Sequence, residues 1–204
     1  MKYAPFLLLA LGGLAGCGSP PTRIFDLSPA QAPPMQATAR PVPAGRLIFV
    51  DRPDVAGYFD RTQMVTRDAG NRVSLHEFEI WSDPPAELIG RAVVDDLAHR
   101  FGADRVMTTP VARYGLPDWR VQLDVLRFDV DETGIARVDA RWSLLREPAE
   151  TLAATRRERI ETHVDDVNDP TERVAALREG VATLAARIAD GIAQQPPAAP
   201  RSSR

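Results

Sequence analysis

Cys17 is the only cysteine in this 204-residue chain, and the residues before it decide what chemistry it can do. Lys2 supplies one positive charge, residues 6–11 an apolar run, and Leu14, Ala15 and Gly16 lead to the thiol. A positive start, a short apolar middle and small residues at the cut are the build of a secretory signal. The apolar run falls well short of the ~20 residues that a membrane-spanning helix needs. Leu14-Ala15-Gly16-Cys17 resembles the bacterial lipobox, in which the cysteine becomes the first residue and carries acyl chains. Residues 1–16 are therefore expected to be a lipoprotein signal peptide, Cys17 the lipidation site, and 17–22 the lipidated residue with a short tether. Acylation of Cys17 leaves no thiol for a disulfide or a thiolate metal site. Gly18, rather than Asp, follows the cysteine. By the sorting rule of enteric bacteria that points to the outer membrane, with the domain on its periplasmic face.

The other reactive side chains do not converge on a catalytic pattern. His76, His99 and His163 lack the spacing of a zinc motif such as His-Glu-x-x-His. His163 stands near Asp165, Asp166 and Asp169, but without the periodicity and glycine of an EF-hand, so a solvated turn is expected. Ser74 and Ser143 fall inside strand patterns rather than on a Gly-x-Ser-x-Gly elbow. No glycine-rich phosphate loop occurs, so the chain is not expected to bind ATP itself. The expectation is no catalytic residue, no metal and no cofactor. Removing residues 1–16 takes away Lys2, the only lysine, and no acidic residue, moving the formal charge from −3 to −4. A weakly acidic domain has no electrostatic case for binding nucleic acid.

The loop 51–63 carries the densest polar and aromatic group: Asp51, Arg52, Asp60 and Arg61 around Tyr58 and Phe59. Two readings stand open. Asp and Arg fix the loop by charge-assisted bonds while the aromatics finish the core. Alternatively Tyr58, Asp60 and Arg61 form a docking edge, since Tyr and Arg are favoured interface anchors. Trp81 is expected to close a helix–sheet core, and Trp119, after Pro117 and Asp118, to be more exposed.

The hydrophobic pattern supplies the scaffold that must position these groups. Residues 23–194 form one expected domain, long enough for a sizeable core. The Pro/Ala-rich stretch 28–45 is expected to be a surface loop, and 195–204 a tail too poor in apolar residues to order itself. No internal repeat is visible. Residues 23–27 and 46–51 are short β-type runs. Residues 62–67 and 72–78 flank Asp68-Ala69-Gly70-Asn71, where Gly and Asn tolerate positive φ, which predicts a hairpin. Asp83 offers an N-cap with proline at the first helical position. The helix it opens carries Leu88, Ile89, Ala92, Val93, Leu97 and Phe101 at helical spacing and stops at Gly102. Residues 104–108 read as a strand. Trp119, Val121, Leu123 and Val125 alternate, then the phase slips to Phe128 and Val130, predicting a bulge near Leu126. Residues 136–144 alternate cleanly, and 152–164 more weakly around Arg156, Arg157, Glu158 and Arg159. Asp169-Pro170-Thr171-Glu172 is a capping-box analogue opening a helix with Val174, Leu177, Val181, Leu184, Ile188 and Ile192 on one stripe. The expected fold is therefore α/β, a single domain. Its mixed or largely antiparallel sheet carries two main helices, after the fourth strand and at the C-terminus, mainly on one face.

Residues 49–100 also resemble the ABC-type transport auxiliary lipoprotein family (PqiC-like). The family's pattern has a strand, a Tyr-Leu-Asp-Arg-Pro-Gln-like loop, an Asn-Arg-Leu hairpin, and Trp-Ala-Glu-Pro-Leu opening a helix. The matching residues are Asp51 and Arg52 after the strand, then Tyr58, Asp60, Arg61, Gln63, Asn71, Arg72, Trp81 and Pro84. Phe59, Thr62 and the segment from Ser82 to Pro85 depart from it, while Phe25 and Leu27 fit an aromatic-x-Leu typical of the mature start. The resemblance implies a non-enzymatic accessory of an envelope ABC-type lipid transport system. Its partner would be a periplasmic MCE-domain protein, its membrane contact the Cys17 lipid (palmitate-type acyl chains), and its self-association into a homo-oligomer open. The rival expectations are an outer-membrane assembly lipoprotein that plugs or chaperones a barrel, and an envelope hydrolase.

Overall fold

The computed structural model describes residues 20–28, 47–108 and 117–196. The signal peptide, Cys17, the first two tether residues (Gly18 and Ser19), all but Ser28 of the Pro/Ala-rich stretch 28–45 that precedes Arg46, and the tail beyond Pro196 lie outside the described residues. In chain order come β1 (Arg23–Phe25), β2 (Ile48–Val50), β3 (Asp54–Val55), β4 (Gln63–Arg67) and β5 (Val73–Trp81). Helix α1 (Pro85–Phe101), β6 (Val106–Thr108), β7 (Trp119–Asp131), β8 (Ile135–Arg146), β9 (Thr151–His163) and α2 (Pro170–Ala193) follow. The nine strands of the described residues belong to one mixed sheet.

β7 organises that sheet. Along one edge it runs antiparallel to β8, and β8 to β9. Along its other edge β2, β3 and β4 lie end to end, all parallel to it. β6 extends the sheet beyond β2, while β5 and then β1 extend it beyond β4. Trp119, Val121, Leu123 and Val125 are buried, the register shifts between Val125 and Arg127, and Phe128 and Val130 resume the buried row. The phase slip in the sequence thus marks a bulge that keeps the strand's apolar set on one face.

Both helices cover that face. Leu177, Val181, Leu184, Ile188 and Ile192 of α2 are buried, as the stripe predicts; Val174 is half-buried. Two glycines let α2 lie close on β8. A Cβ at Gly180 would stand 2.7 Å from Val138 Cγ2, and one at Gly191 would collide with the Trp142 ring. On the other side of β8, Arg137, Asp139 and Arg141 alternate with the buried set, and this face carries ion pairs such as Arg157–Asp139 and Arg137–Glu161.

Several local expectations shift. The loop 51–63 holds β3, so α1 follows the fifth strand rather than the fourth. Pro84, not Asp83, is the N-cap of α1 and Pro85 the first helical residue; Asp83 instead pairs with Arg91 at 2.6 Å. Asp169 does cap α2, accepting from Thr171 N–H at 2.8 Å, but Glu172 reaches Asp166 N–H rather than the cap residue. A 3-10 turn, Ala103–Arg105, replaces the first part of the strand expected over 104–108. Trp119 is fully buried rather than exposed: it pairs with Ile48 and Arg146, and the Arg146 guanidinium lies 4.5 Å over its ring.

Candidate functional site

The loop 51–63 runs along the β7 edge instead of standing free of the sheet. β3 pairs with Asp124 and Val125, and Ala56 N–H donates to Val125 carbonyl at 3.0 Å. Pro53 packs on Gly90 of α1, where an added Cβ would come within 3.0 Å, and Arg52 pairs with Glu87 at 2.6 Å. The loop is thereby tied to sheet and helix together.

This path sets Tyr58 and Phe59 against the bulged half of β7. Phe59 is buried, with its ring near Phe128, which in turn meets Trp81. Tyr58 is half-buried, edge-on to Phe59 at 5.0 Å between centroids. Its hydroxyl donates to Asp129 Oδ2 at 2.6 Å. Asp129 is 1% exposed and also receives Arg67 Nε at 3.2 Å and Arg127 Nε at 2.9 Å. Arg67 closes the group by lying 4.7 Å over the Tyr58 ring. A buried carboxylate survives because three donors replace its water. Burial and the neighbouring Asp129, through its hydrogen bond and its charge, push the Tyr58 hydroxyl up to about 12. It is therefore a protonated donor throughout the neutral range.

The other family-motif residues have separate places. Asp60 is exposed, and Arg61 is half-buried, its Nε without a hydrogen-bond partner among the described residues. Asp51 lies 3.7 Å from Arg120. Asn71 adopts φ 62° in the β4–β5 hairpin, and Arg72 pairs with Asp68 across the same turn at 2.9 Å. Trp81 is buried, and Pro84 caps α1. The structure thus brings Tyr58 together with Arg67, Arg127 and Asp129 rather than joining Tyr58, Asp60 and Arg61 in one side-chain cluster. Asp129 and its two arginines were missed in the sequence. The phase slip at Leu126 was their only signal, because it gives Phe128, Asp129 and Val130 consecutive buried places.

A second network ties β1 into the fold. Arg173, only 2% exposed, bonds Glu79 through Nη2 and His76 Nε2 through Nη1 at 3.1 Å. Glu79 also takes Arg23 of β1 at 2.7 Å and faces His76 Nδ1 at 3.2 Å. Arginine can only donate, so His76 Nε2 accepts and its proton sits on Nδ1 toward Glu79. Burial, then the charge of Arg173, hold the His76 pKa below its ordinary value, with Glu79 opposing. The edge strand nearest the expected lipid is thus clamped to α2. His163 lies 3.6 Å from exposed Asp165. Among the described residues no group of three or more His, Cys, Asp or Glu is placed to hold a metal, and no helix is long and apolar enough to cross a membrane.

The family model of the ABC-type transport auxiliary lipoprotein component matches residues 25–189. The crystal structure of an uncharacterised protein is similar at a TM-score of 0.69 and 19% identity, covering 85% of this chain and 99% of that one. A Xanthomonas campestris protein of the DUF330 family is similar at a TM-score of 0.61 and 18% identity, covering 76% and 93%. At such identities the likeness establishes a shared fold. No curated protein matches the chain.

Proposed function

The chain belongs to the ABC-type transport auxiliary lipoprotein family, and from that premise we propose that it is the outer-membrane-anchored, non-enzymatic accessory of an MCE-type lipid transport system. The observation that carries this reading is the junction of anchor and domain. The family match begins at Phe25, inside β1, and the lipobox cysteine stands only a few residues earlier. Each buried methylene of an acyl chain contributes about 0.8 kcal/mol, so multiple chains on Cys17 would hold the domain on a membrane almost permanently. Apolar cargo crossing the water between two membranes needs a protein path, and one end of that path needs an anchor. A periplasmic MCE-domain protein is the partner such an anchored domain would dock. The rivals, a barrel-assembly lipoprotein and an envelope hydrolase, have no observation of their own in this chain.

The test is made on the full chain in its native envelope. Intact mass should show acylation, a density gradient should place the protein with outer membranes, and the neighbouring-gene MCE protein should co-purify with it. Cys17→Ser should leave a folded domain that is released from the membrane. Absence of acyl mass removes the anchor. An acylated protein that co-purifies with a barrel and not with the MCE protein removes the transport reading.

A further inference from the structure

The described residues expose four large apolar side chains, and three of them share two neighbouring strands. Ile24 of β1 is 66% exposed, Leu75 and Phe78 of β5 are 47% and 37% exposed, and Leu152 of β9 stands apart. The three point the same way. Ile24 follows Arg23, Leu75 precedes His76, and Phe78 precedes Glu79, the residues of the Arg173 network beneath α2. His76 and Glu79, three residues apart, both face Arg173 because the β4–β5 register shifts between Gln63 and Met64, which puts a bulge in β5 between His76 and Ile80. On each side of that bulge alternation turns the neighbouring Leu75 and Phe78 to the opposite, helix-free face, as it does Ile24 beside Arg23. Ile80, the register partner of Ile24, adds a half-buried side chain to the same side. Scattered apolar residues are normal on a surface, but a cluster at one edge is not explained by that base level.

The chemistry of this face changes across the sheet. Over β7, β8 and β9 it is ionic: Arg120–Glu147, Arg157–Asp139 and Arg137–Glu161. Over β1 and β5 it becomes apolar. Covalent geometry keeps the lipid close to the β1 edge: seven residue steps separate Cys17 from Ile24, at most about 25 Å even fully extended. β9 lies at the opposite edge of the sheet, five strands from β1, or about 24 Å across at the usual strand spacing, so only a fully stretched tether brings the lipid to it, whereas any tether length leaves β1 and β5 within reach.

We propose that the Ile24–Leu75–Phe78 face of β1 and β5 rests in the headgroup layer of the membrane that holds the Cys17 acyl chains, fixing the domain's orientation on it. The proposal rests on Cys17 lipidation. A domain on a bare tether would tumble above the bilayer, whereas a second, apolar contact turns a point anchor into a defined pose. The contact lies at one edge of the face, so the sheet stands tilted, with the ionic strip over β8 and β9 lifted from the bilayer. The helix layer, on the opposite side of the sheet, is then turned toward the periplasm, where a partner can meet it. Arg23, clamped through Glu79 to the buried Arg173, keeps β1 in register so that the contact is rigid.

The acylated Cys17 leaves no free thiol, so a single cysteine can be labelled in the full lipidated chain. An environment-sensitive fluorophore is placed through Ile24→Cys, Leu75→Cys or Phe78→Cys, with Leu152→Cys and Arg141→Cys as controls. The protein is reconstituted in phosphatidylethanolamine–phosphatidylglycerol vesicles carrying nitroxide-labelled lipid. The three test positions should shift to the blue and be quenched roughly twofold or more relative to the controls, as for groups about 5–10 Å into the interface. Equal quenching at all five positions overturns the proposal. So does a label at position 24 that is shielded from aqueous iodide yet untouched by lipid nitroxide, which means a protein surface or a second copy covers the patch. An intact mass without acyl groups overturns the lipidation reading and this one with it; an acylated protein with unquenched labels overturns this one alone.

Discussion

Removing one oxygen from Tyr58 separates the two readings of the loop 51–63. The Tyr58 hydroxyl supplies one of three donors to Asp129, a carboxylate with 1% exposure. A hydrogen bond to a charged group is worth about 1.5–3 kcal/mol net. Arg67 and Arg127 remain on Asp129 in Tyr58→Phe, which puts the cost at the lower end, about 1.5 kcal/mol. In a domain of this size each kcal/mol lowers the thermal midpoint by roughly 2–4 °C, so the expected loss is about 3–6 °C. Tyr58→Ala also removes the ring that meets Phe59 and underlies Arg67, and should cost about twice as much. The alkaline limb gives an independent readout. The folded hydroxyl is raised from 10.0 to about 12, so its stabilisation is complete below pH 10 and lost as the pH rises toward 12. Calorimetry or circular-dichroism melts at neutral and alkaline pH on wild type and Tyr58→Phe measure both effects. A midpoint unchanged within about 1 °C, with an alkaline limb identical to wild type, refutes the structural role. If such a variant also captures the MCE partner more weakly, Tyr58 belongs to a docking edge.

Three further outcomes follow from the packing. Gly191→Ala drives a methyl into the fully buried Trp142, so despite better helix propensity it should lower stability by about 1–2 kcal/mol in urea unfolding. Arg173→Met leaves Glu79 buried without its main partner and should cost about 3–5 kcal/mol, whereas adding Glu79→Leu to it should recover most of that in the same assay. His76 is held below its ordinary value, so the unfolded chain takes up the proton first. Its contribution is complete above the unfolded value of about 6.5 and is lost as the pH falls below it. The melting midpoint should therefore drop between pH 7.5 and 5.5, and His76→Gln should flatten that drop.

The hairpin, the helix stripes and the bulge were legible because each is written by neighbours a few residues apart. Asn71 marks a turn by its tolerance of positive φ, and observed φ is 62° there. The slip from Val125 to Phe128 marks a bulge because strand alternation has a period of two. β3 carried no such mark: two residues make a strand only because β7 offers an unpaired edge beside them. Asp83 read as a cap, yet Arg91 claims its carboxylate and Pro84 takes the position.

From the sequence alone came the family, the α/β class, the two helices and the lipobox beside the first strand, all of which are local or follow from periodicity. Tertiary structure alone decided that Trp119 is covered, that Asp129 collects Tyr58 and two arginines, and that Arg173 reaches across to β5, where Glu79 also holds Arg23 of β1. It also decided that the exposed Ile24, Leu75 and Phe78 share one face. These partners lie far apart in the chain, up to 97 residues between His76 and Arg173. A charge or an aromatic ring has the same local signature whether water or a distant strand will satisfy it. Only closing the sheet removes the water and fixes which partner takes its place.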